Sequence, residues 1–203
     1  ETMLFQFQWG YKKQGRSRKE FDAWAVKELR PIVNRMAEQS IREKILQPAA
    51  SYGYWKAAAK GNDLILFDEN GSTEVARFSL PRQDKKGGLC IADFVKDVGA
   101  DQRSVVGLQV VTMGQRVSEA AWEIFEADKY QDYLYLHGFG IEMTEALAEY
   151  VHKRIRTELG FGDEEARETK KLLKQQYRGA RYSFGYPACP NLGDQRVLLE
   201  LLG

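Results

Sequence analysis

The chain has 203 residues, enough for one domain or two small ones, and 43% of them are apolar, enough to bury a sizeable core. Lysine and arginine number 30 against 29 aspartates and glutamates, so the basic excess that general nucleic-acid binding requires is missing. No apolar run approaches the roughly 18 residues of a membrane span, and no signal-like segment is visible. The two cysteines, Cys90 and Cys189, read as reduced thiols of a cytoplasmic protein, a disulfide being the alternative that composition leaves open. The chain begins with Glu1 rather than Met, so a piece of a longer polypeptide is expected.

In chain order, Leu4 to Trp9 (LFQFQW) alternates apolar and polar residues and reads as a short strand or extended entry segment. Ser17 and Glu20 have capping-box spacing, and Phe21, Trp24, Ala25, Leu29, Ile32, Val33 and Met36 follow at helical intervals. Pro31 should kink or divide that helix. Tyr52 to Ala58, Leu64 to Phe67 and Glu74 to Leu80 look like strands, with a hairpin turn at Glu69-Asn70-Gly71. Pro81 to Gly88 is a polar loop. Ser104 to Thr112 is rich in β-branched residues and reads as a central strand.

Helices follow. Ser118 is placed to cap one that carries Trp122, Ile124 and Phe125. A longer helix covers Tyr130 to Leu159 and stops at Gly160. Asp163 to Tyr177 reads as a charged, exposed helix. After a loop over Arg181 to Pro190, Asn191 is placed to cap a last helix with Val197, Leu198, Leu201 and Leu202. The simplest architecture is a single α+β domain over residues 1–203, helix-rich with an antiparallel sheet.

The segment Arg181-Tyr182-Ser183-Phe184-Gly185-Tyr186-Pro187-Ala188-Cys189-Pro190 carries the most chemical information. Pro187 and Pro190 fix φ and push the residues before them toward extended backbone, while Gly185 allows close backbone approach. Such a stiff loop can present Arg181 and Tyr186 with little entropy lost on binding. A guanidinium suits a carboxylate, and a phenol offers a flat face and a hydroxyl. An amino-acid-like ligand bearing a sulfonium fits that pair; an ordinary Pro/Gly turn between helices is the plain alternative.

RYSFGYPACPNL resembles the R-x-x-x-G-Y-P-A-C-P segment of the activation domain of cobalamin-dependent methionine synthases. GLCIADFV at Gly88 to Val95 and EALAEYVHKRIRTELG at Glu145 to Gly160 resemble the same family's C-L-A-D-F-V and A-E-Y-x-H segments, and FQWGYKKQG resembles an opening found in bacterial relatives. The resemblance implies a C-shaped α+β fold with a twisted antiparallel sheet that binds S-adenosylmethionine along its inner surface. It assigns the ligand carboxylate to Arg181, a backbone contact to Ser183, and a position over the corrin to Tyr186. Glu145 matches a helix glutamate facing the same site. It further implies docking on a cobalamin-binding domain, an electron from flavodoxin or a similar reductase, and reductive methylation of cob(II)alamin. Catalysis of methionine formation is then a property of the whole enzyme, and no residue of this chain is expected to be catalytic alone.

The chain departs from that pattern at two places. Where the family's best-known form has an Asp that receives the ligand's amino group, this sequence has Gln8, whose amide oxygen accepts without charge assistance. Weaker binding or a different amine partner is expected. The family also continues past the L-x-E-L-L helix into a segment that supplies a tyrosine, whereas this sequence ends at Gly203, as a truncated chain or a short variant would. Both departures favour the rival reading of a non-catalytic capping module for a corrinoid protein. His137 and His152 lack the partners of a metal site, Glu145 and Glu149 share a helix face that solvation explains, and Cys189 reads as a small packed residue. Gly138 and Gly140 lack the third glycine of a dinucleotide fingerprint, and the four tryptophans read as core.

Overall fold

The computed structural model describes residues 1, 3–84, 87–165, 169–172 and 175–203, without the side chains of 169 and 170. Contacts divide the chain into two compact units: Glu1–Ala50 with Val111–Tyr150, and Ser51–Val110 with Val151–Gly203. Helices plus a four-stranded sheet make the chain α+β, as its sequence pattern implies. Among the described residues no helix is long and apolar enough to cross a membrane.

The first unit opens with a π-helical turn over Leu4–Gln8 in place of the expected strand. Leu4, Phe5 and Trp9 are buried while Phe7 is 69% exposed, so burial follows a helical turn and not a two-residue alternation. The Trp9 N–H donates to the Leu4 carbonyl at 2.9 Å, the five-residue step of a π turn. Helix α1 (Arg18–Glu28) starts with the capping box: the Glu20 N–H donates to Ser17 Oγ at 3.3 Å and the Ser17 N–H to Glu20 Oε2 at 2.8 Å. Pro31 falls in the first turn of α2 (Arg30–Arg42), where a missing N–H costs nothing, so the chain divides at Leu29. Helix α3 (Arg116–Glu126) begins after Gln115; Ser118 lies inside it and does not cap it. Helix α4 (Tyr130–Glu158) contributes its residues up to Tyr150 to this unit. One core joins Leu4, Phe5, Trp9, Phe21, Ala25, Leu29 and Phe139; a second joins Ile45, Ala120, Ala121 and Leu136. The entry turn lies against α4 because position 138 is glycine: a Cβ there would sit 2.7 Å from the Gln8 Cβ.

The second unit is built on strands β1 (Ala49–Lys60, from Ser51), β2 (Asp63–Phe67), β3 (Glu74–Ser79) and β4 (Ser104–Thr112, to Val110) in the order β3-β2-β1-β4. β2 pairs antiparallel with both β1 and β3, in registers that set Ala58 opposite Ile65 and Leu64 opposite Phe78. β4 is therefore an edge strand and not a central one. β-branched content reports extended backbone but not position in the sheet, and Val105 is half exposed. Alternation sorts the strands onto two faces: Ala57, Ala59, Leu64, Leu66, Ala76 and Phe78 share one core, and Ala58, Ile65 and Phe67 face Val98 on the other side. Asp68 closes the β2–β3 connection by accepting from the N–H groups of Ser72 and Thr73 at 3.0 and 3.3 Å.

Within this unit α4 ends at Gly160 in a Schellman pattern, with the Phe161 N–H donating to the Arg156 carbonyl and the Gly160 N–H to the Thr157 carbonyl, both at 3.0 Å. Of the charged helix expected over Asp163 to Tyr177, the structure shows a 3-10 turn at Gly162–Glu164 and a short α5 (Thr169–Leu172); residues 166–168, 173 and 174 lie outside the described residues. The last helix, α6 (Asp194–Leu202), starts after Gly193. Asn191 sits two residues further out, where its Oδ1 accepts from the Gly193 N–H at 3.0 Å.

The end of α4 is tied to β1 by one carboxylate. Glu158 accepts from the hydroxyls of Tyr52 and Tyr54 at 2.9 and 2.6 Å and from Arg154 Nε at 2.8 Å. Arg154 and the two phenols hold this carboxyl down to a pKa of about 2, against an ordinary 4.5. A depressed folded-state pKa adds stability that is complete above the ordinary value and lost as the pH falls toward the folded one. The stability deficit of Tyr54→Phe, measured by urea unfolding at a series of pH values, is expected to be largest near neutrality and to shrink between about pH 4.5 and 2. A deficit that stays constant through that window would contradict the assignment.

Candidate functional site

The loop after Gly179 is organised by its own backbone. The Gly185 N–H donates to the Cys189 carbonyl at 2.9 Å and the Cys189 N–H to the Tyr186 carbonyl at 2.9 Å, a closed bridge around Pro187 and Ala188. Gly185 has φ +96, which L side chains rarely adopt, and a Cβ there would meet Leu192 Cδ2 at 3.0 Å. Pro187 and Pro190 supply the remaining stiffness. Cys189 is 4% exposed and belongs to the sheet core with Leu66 and Phe78. Its Sγ donates to the Ser183 carbonyl at 3.0 Å, and burial, with a smaller contribution from the Asp194 carboxylate, pushes its thiol pKa upward. Cys189 is the packed residue its surroundings imply; Cys90 is also buried and free. Phe184 adds a ring contact to Phe78, with centroids 5.7 Å apart.

This inward anchoring leaves other side chains outward. Tyr186 is 64% exposed, so its phenol is available to a partner surface. Arg181 is half-buried, with Nη1 donating to Ser183 Oγ at 3.4 Å. The Ser183 carbonyl already accepts from Cys189 Sγ and from the Tyr186 N–H, while its own N–H has no acceptor among the described residues. Thus Arg181, Ser183, Gly185 and Tyr186 come together on one loop of the second unit.

A hydrogen bond from outside the loop reaches it, and it is not visible in the local sequence. Gln83, from the polar segment after β3, donates its Nε2 to the Pro187 carbonyl at 2.9 Å. The ADFV motif stabilises that segment: Asp93 accepts two hydrogen bonds from Arg82, at 2.9 and 2.7 Å, and one from the Cys90 N–H at 2.8 Å. Arg156 of α4, 3% exposed, donates to Glu165 at 2.7 Å and lies 4.0 Å from the Tyr177 ring centroid. Its Nη1 meets His152 Nδ1 at 2.9 Å. A guanidinium has only donors, so that ring nitrogen is the acceptor. His152 is consequently a buried structural residue.

Gln8 and Glu145 belong to the first unit. Gln8 is half-buried at the end of the π turn and donates Nε2 to Glu142 Oε1 at 3.0 Å. Glu145 lies exposed on α4, three residues beyond Glu142. Sequence reading singled out Gln8 and Glu145 but not Glu142. Beside them Trp9 Nε1 donates to the Tyr135 carbonyl at 3.2 Å, and the Tyr135 phenol meets that of Tyr11 at 2.6 Å. Burial first, and then Tyr11, raises the Tyr135 pKa to about 12. Trp122 is 56% exposed against the core position expected of it, stacked on Phe125 at the end of α3. Among the described residues no group of His, Cys, Asp and Glu is arranged to hold a metal ion.

The family described as the vitamin B12 dependent methionine synthase, activation domain, matches residues 4–203. Methionine synthases of Mycobacterium tuberculosis and Mycobacterium leprae are each 39% identical over 218 aligned residues, spanning 100% of this chain and 18% of theirs. The chain therefore corresponds to less than a fifth of those relatives' length. The crystal structure of a MetH reactivation domain bound to AdoHcy superposes with a TM-score of 0.86 at 25% identity, covering 99% of this chain and 64% of that one. With the anchored GYPACP loop, the ADFV turn and the buried AEYVH histidine all in place, the chain belongs to the activation-domain family of vitamin B12-dependent methionine synthases.

Proposed function

We propose that this chain is the S-adenosylmethionine-binding reactivation module of a cobalamin-dependent methionine synthase in the cytoplasm. It positions the methyl donor for reductive methylation of cob(II)alamin held by another domain, with flavodoxin or a similar reductase as electron source. The observation that carries the reading is the loop itself: a half-buried guanidinium and an exposed phenol presented on backbone whose conformation is fixed before any ligand arrives.

Each residue has a chemical task in this reading. Arg181 takes the ligand carboxylate with its planar fork of donors, and its contact with Ser183 Oγ limits the guanidinium's rotation. The Ser183 N–H is a donor toward the same ligand. Gly185 keeps the backbone low beside it, and Tyr186 offers its ring face to the corrin. The sulfonium and the corrinoid cobalt supply the methyl-transfer chemistry; the chain contributes proximity and orientation. Preformed geometry matters here because ordering entropy lost during folding is not lost again on binding.

Calorimetric titration with S-adenosylmethionine tests the reading. Arg181→Ala is expected to weaken binding about 10- to 100-fold, the range for losing a hydrogen bond to a charged group. No heat from the unaltered chain at millimolar ligand would instead favour the corrinoid-capping module, the reading that Gln8 supports. Gly185→Ala forces a side chain into left-handed backbone against Leu192, so a loss of about 1–2 kcal/mol in stability is expected. Hydrogen exchange should place that loss in residues 183–189, and S-adenosylmethionine affinity should fall with it.

A further inference from the structure

Trp122 reads as core in the sequence, yet it is 56% exposed, and it does not stand alone. Its ring stacks on Phe125 at 5.2 Å, and Phe125 meets Tyr133 edge-on, also at 5.2 Å. Tyr130 lies 6.0 Å from Tyr133, which stacks on His137 at 5.4 Å. These rings form one ladder from the end of α3 to the start of α4, wholly within the first unit. The ladder is held from below: Ile124 and Tyr133 pack on the core of Ile45, Ala120, Ala121 and Leu136. The turn between the helices is closed by the Asp128 N–H, which donates to the Phe125 carbonyl at 3.1 Å, and by the Lys129 N–H, which donates to the Ile124 carbonyl at 3.2 Å.

Packing does not account for the outer rings, since Phe125 and Tyr130 are 41% and 59% exposed. A helix end that met only water would carry polar side chains there. Elsewhere the chain lays its own guanidiniums over partly exposed rings: Arg16 over Trp24, Arg154 over Tyr52 and Arg178 over Phe161, at 4.9, 5.6 and 4.7 Å from the centroids. Among the described residues no arginine lies over Trp122, Phe125, Tyr130 or Tyr133. Arg116, on the same helix as Trp122, is held by Glu123 at 2.7 Å and Glu119 at 3.7 Å. The surroundings are acidic. Residues 117–136 hold five carboxylates against the single Lys129, and among the described residues no salt bridge engages Glu126, Asp128 or Asp132.

We propose that this ladder is a docking surface for an arginine-bearing face of the parent polypeptide outside this chain. A guanidinium laid on the outer face of Trp122 completes the pairing that the chain makes for itself elsewhere. Glu126, one turn beyond Trp122 on α3, is placed to take the fork of donors. Tryptophan, tyrosine and arginine are also the residues on which interface energy concentrates. The acidic rim steers a basic face toward the ladder and turns an acidic one away. A second copy of the chain meeting this face with its own would set acidic rim against acidic rim. The chain matches 18% of the length of its mycobacterial relatives, so most of such a polypeptide lies outside it. A tethered partner needs only weak contacts, because tethering gives it an effective concentration of ~1 mM. This assignment rests on the reading above that the chain is one module of a methionine synthase, and it does not require S-adenosylmethionine binding.

The test uses the full-length enzyme with the photo-cross-linker p-benzoylphenylalanine in place of Phe125. Irradiation is expected to join position 125 to an arginine-bearing segment of the same polypeptide outside this chain. The yield should fall several-fold between low salt and about 0.5 M sodium chloride, because the rim is exposed and screened by ions. Glu126→Lys, which reverses an exposed charge, is expected to lower the low-salt yield about tenfold. Trp122→Ala, which keeps the charges and removes the ring, should lower it by a similar factor. No cross-link, a cross-link to a second molecule or to a segment without arginine, or a yield indifferent to salt and to Glu126→Lys, each overturns the proposal. Calorimetry with S-adenosylmethionine on the same variants keeps the two readings apart. Retained ligand binding beside a failed cross-link removes this surface alone, whereas a cross-link without ligand binding removes the ligand reading and leaves the surface standing.

Discussion

The candidate loop depends on one buried thiol. Cys189 reaches the sheet core, and its backbone and Sγ then bind back to Gly185, Tyr186 and Ser183. With the anchor inside, Tyr186, three residues earlier, stays exposed and Arg181 is half-buried. Replacing a small apolar anchor by a larger or charged side chain would open the bridge and release the ring. The requirement is steric and hydrophobic, which is why a buried cysteine with an upward-shifted pKa serves it and a reactive one would not.

Much of this was legible in the sequence. Glycine and proline spacing announced a stiff turn at 181–190, and the structure gives it the bridge that such spacing permits. Ser17 with Glu20, Pro31 at a helix start and Gly160 at a helix end are local signals with local causes, and they place the helix boundaries. Failures arose where the deciding contact is distant. LFQFQW has strand-like alternation, but its conformation is set by burial of Leu4, Phe5 and Trp9 among α1 and α4 side chains. Ser104 to Thr112 reads as central, although strand order depends on pairing that composition does not encode. Gln83 meets Pro187 across 104 positions, beyond the reach of any local pattern.

Motif residues separate into those that face outward and those that hold. Asp93 of ADFV is spent on Arg82 and the Cys90 N–H, and it steadies the segment from which Gln83 reaches the loop. His152 of AEYVH is spent on Arg156. The matching positions of a motif therefore do not all describe a ligand. Half of the resemblance describes the scaffold that keeps Arg181 and Tyr186 in place.

Arg156 shows how such a scaffold tolerates a buried charge. An isolated guanidinium at 3% exposure would be strongly unfavourable, but Glu165 supplies the opposite charge, the Tyr177 ring a negative face, and His152 a neutral acceptor. Lys153 pairs with the same Glu165, lowering its pKa and keeping it ionised to meet Arg156. The three partners come from two chain segments, so the cluster forms only when the stretch following α4 has folded back onto that helix. A hydrophobic residue at 156 could fill the same volume, but it would accept any approach of that stretch. The directional donors of a guanidinium accept one, and Gly179, whose Cβ position lies 3.6 Å from the Arg156 side chain, then delivers the chain to Arg181 from a defined point.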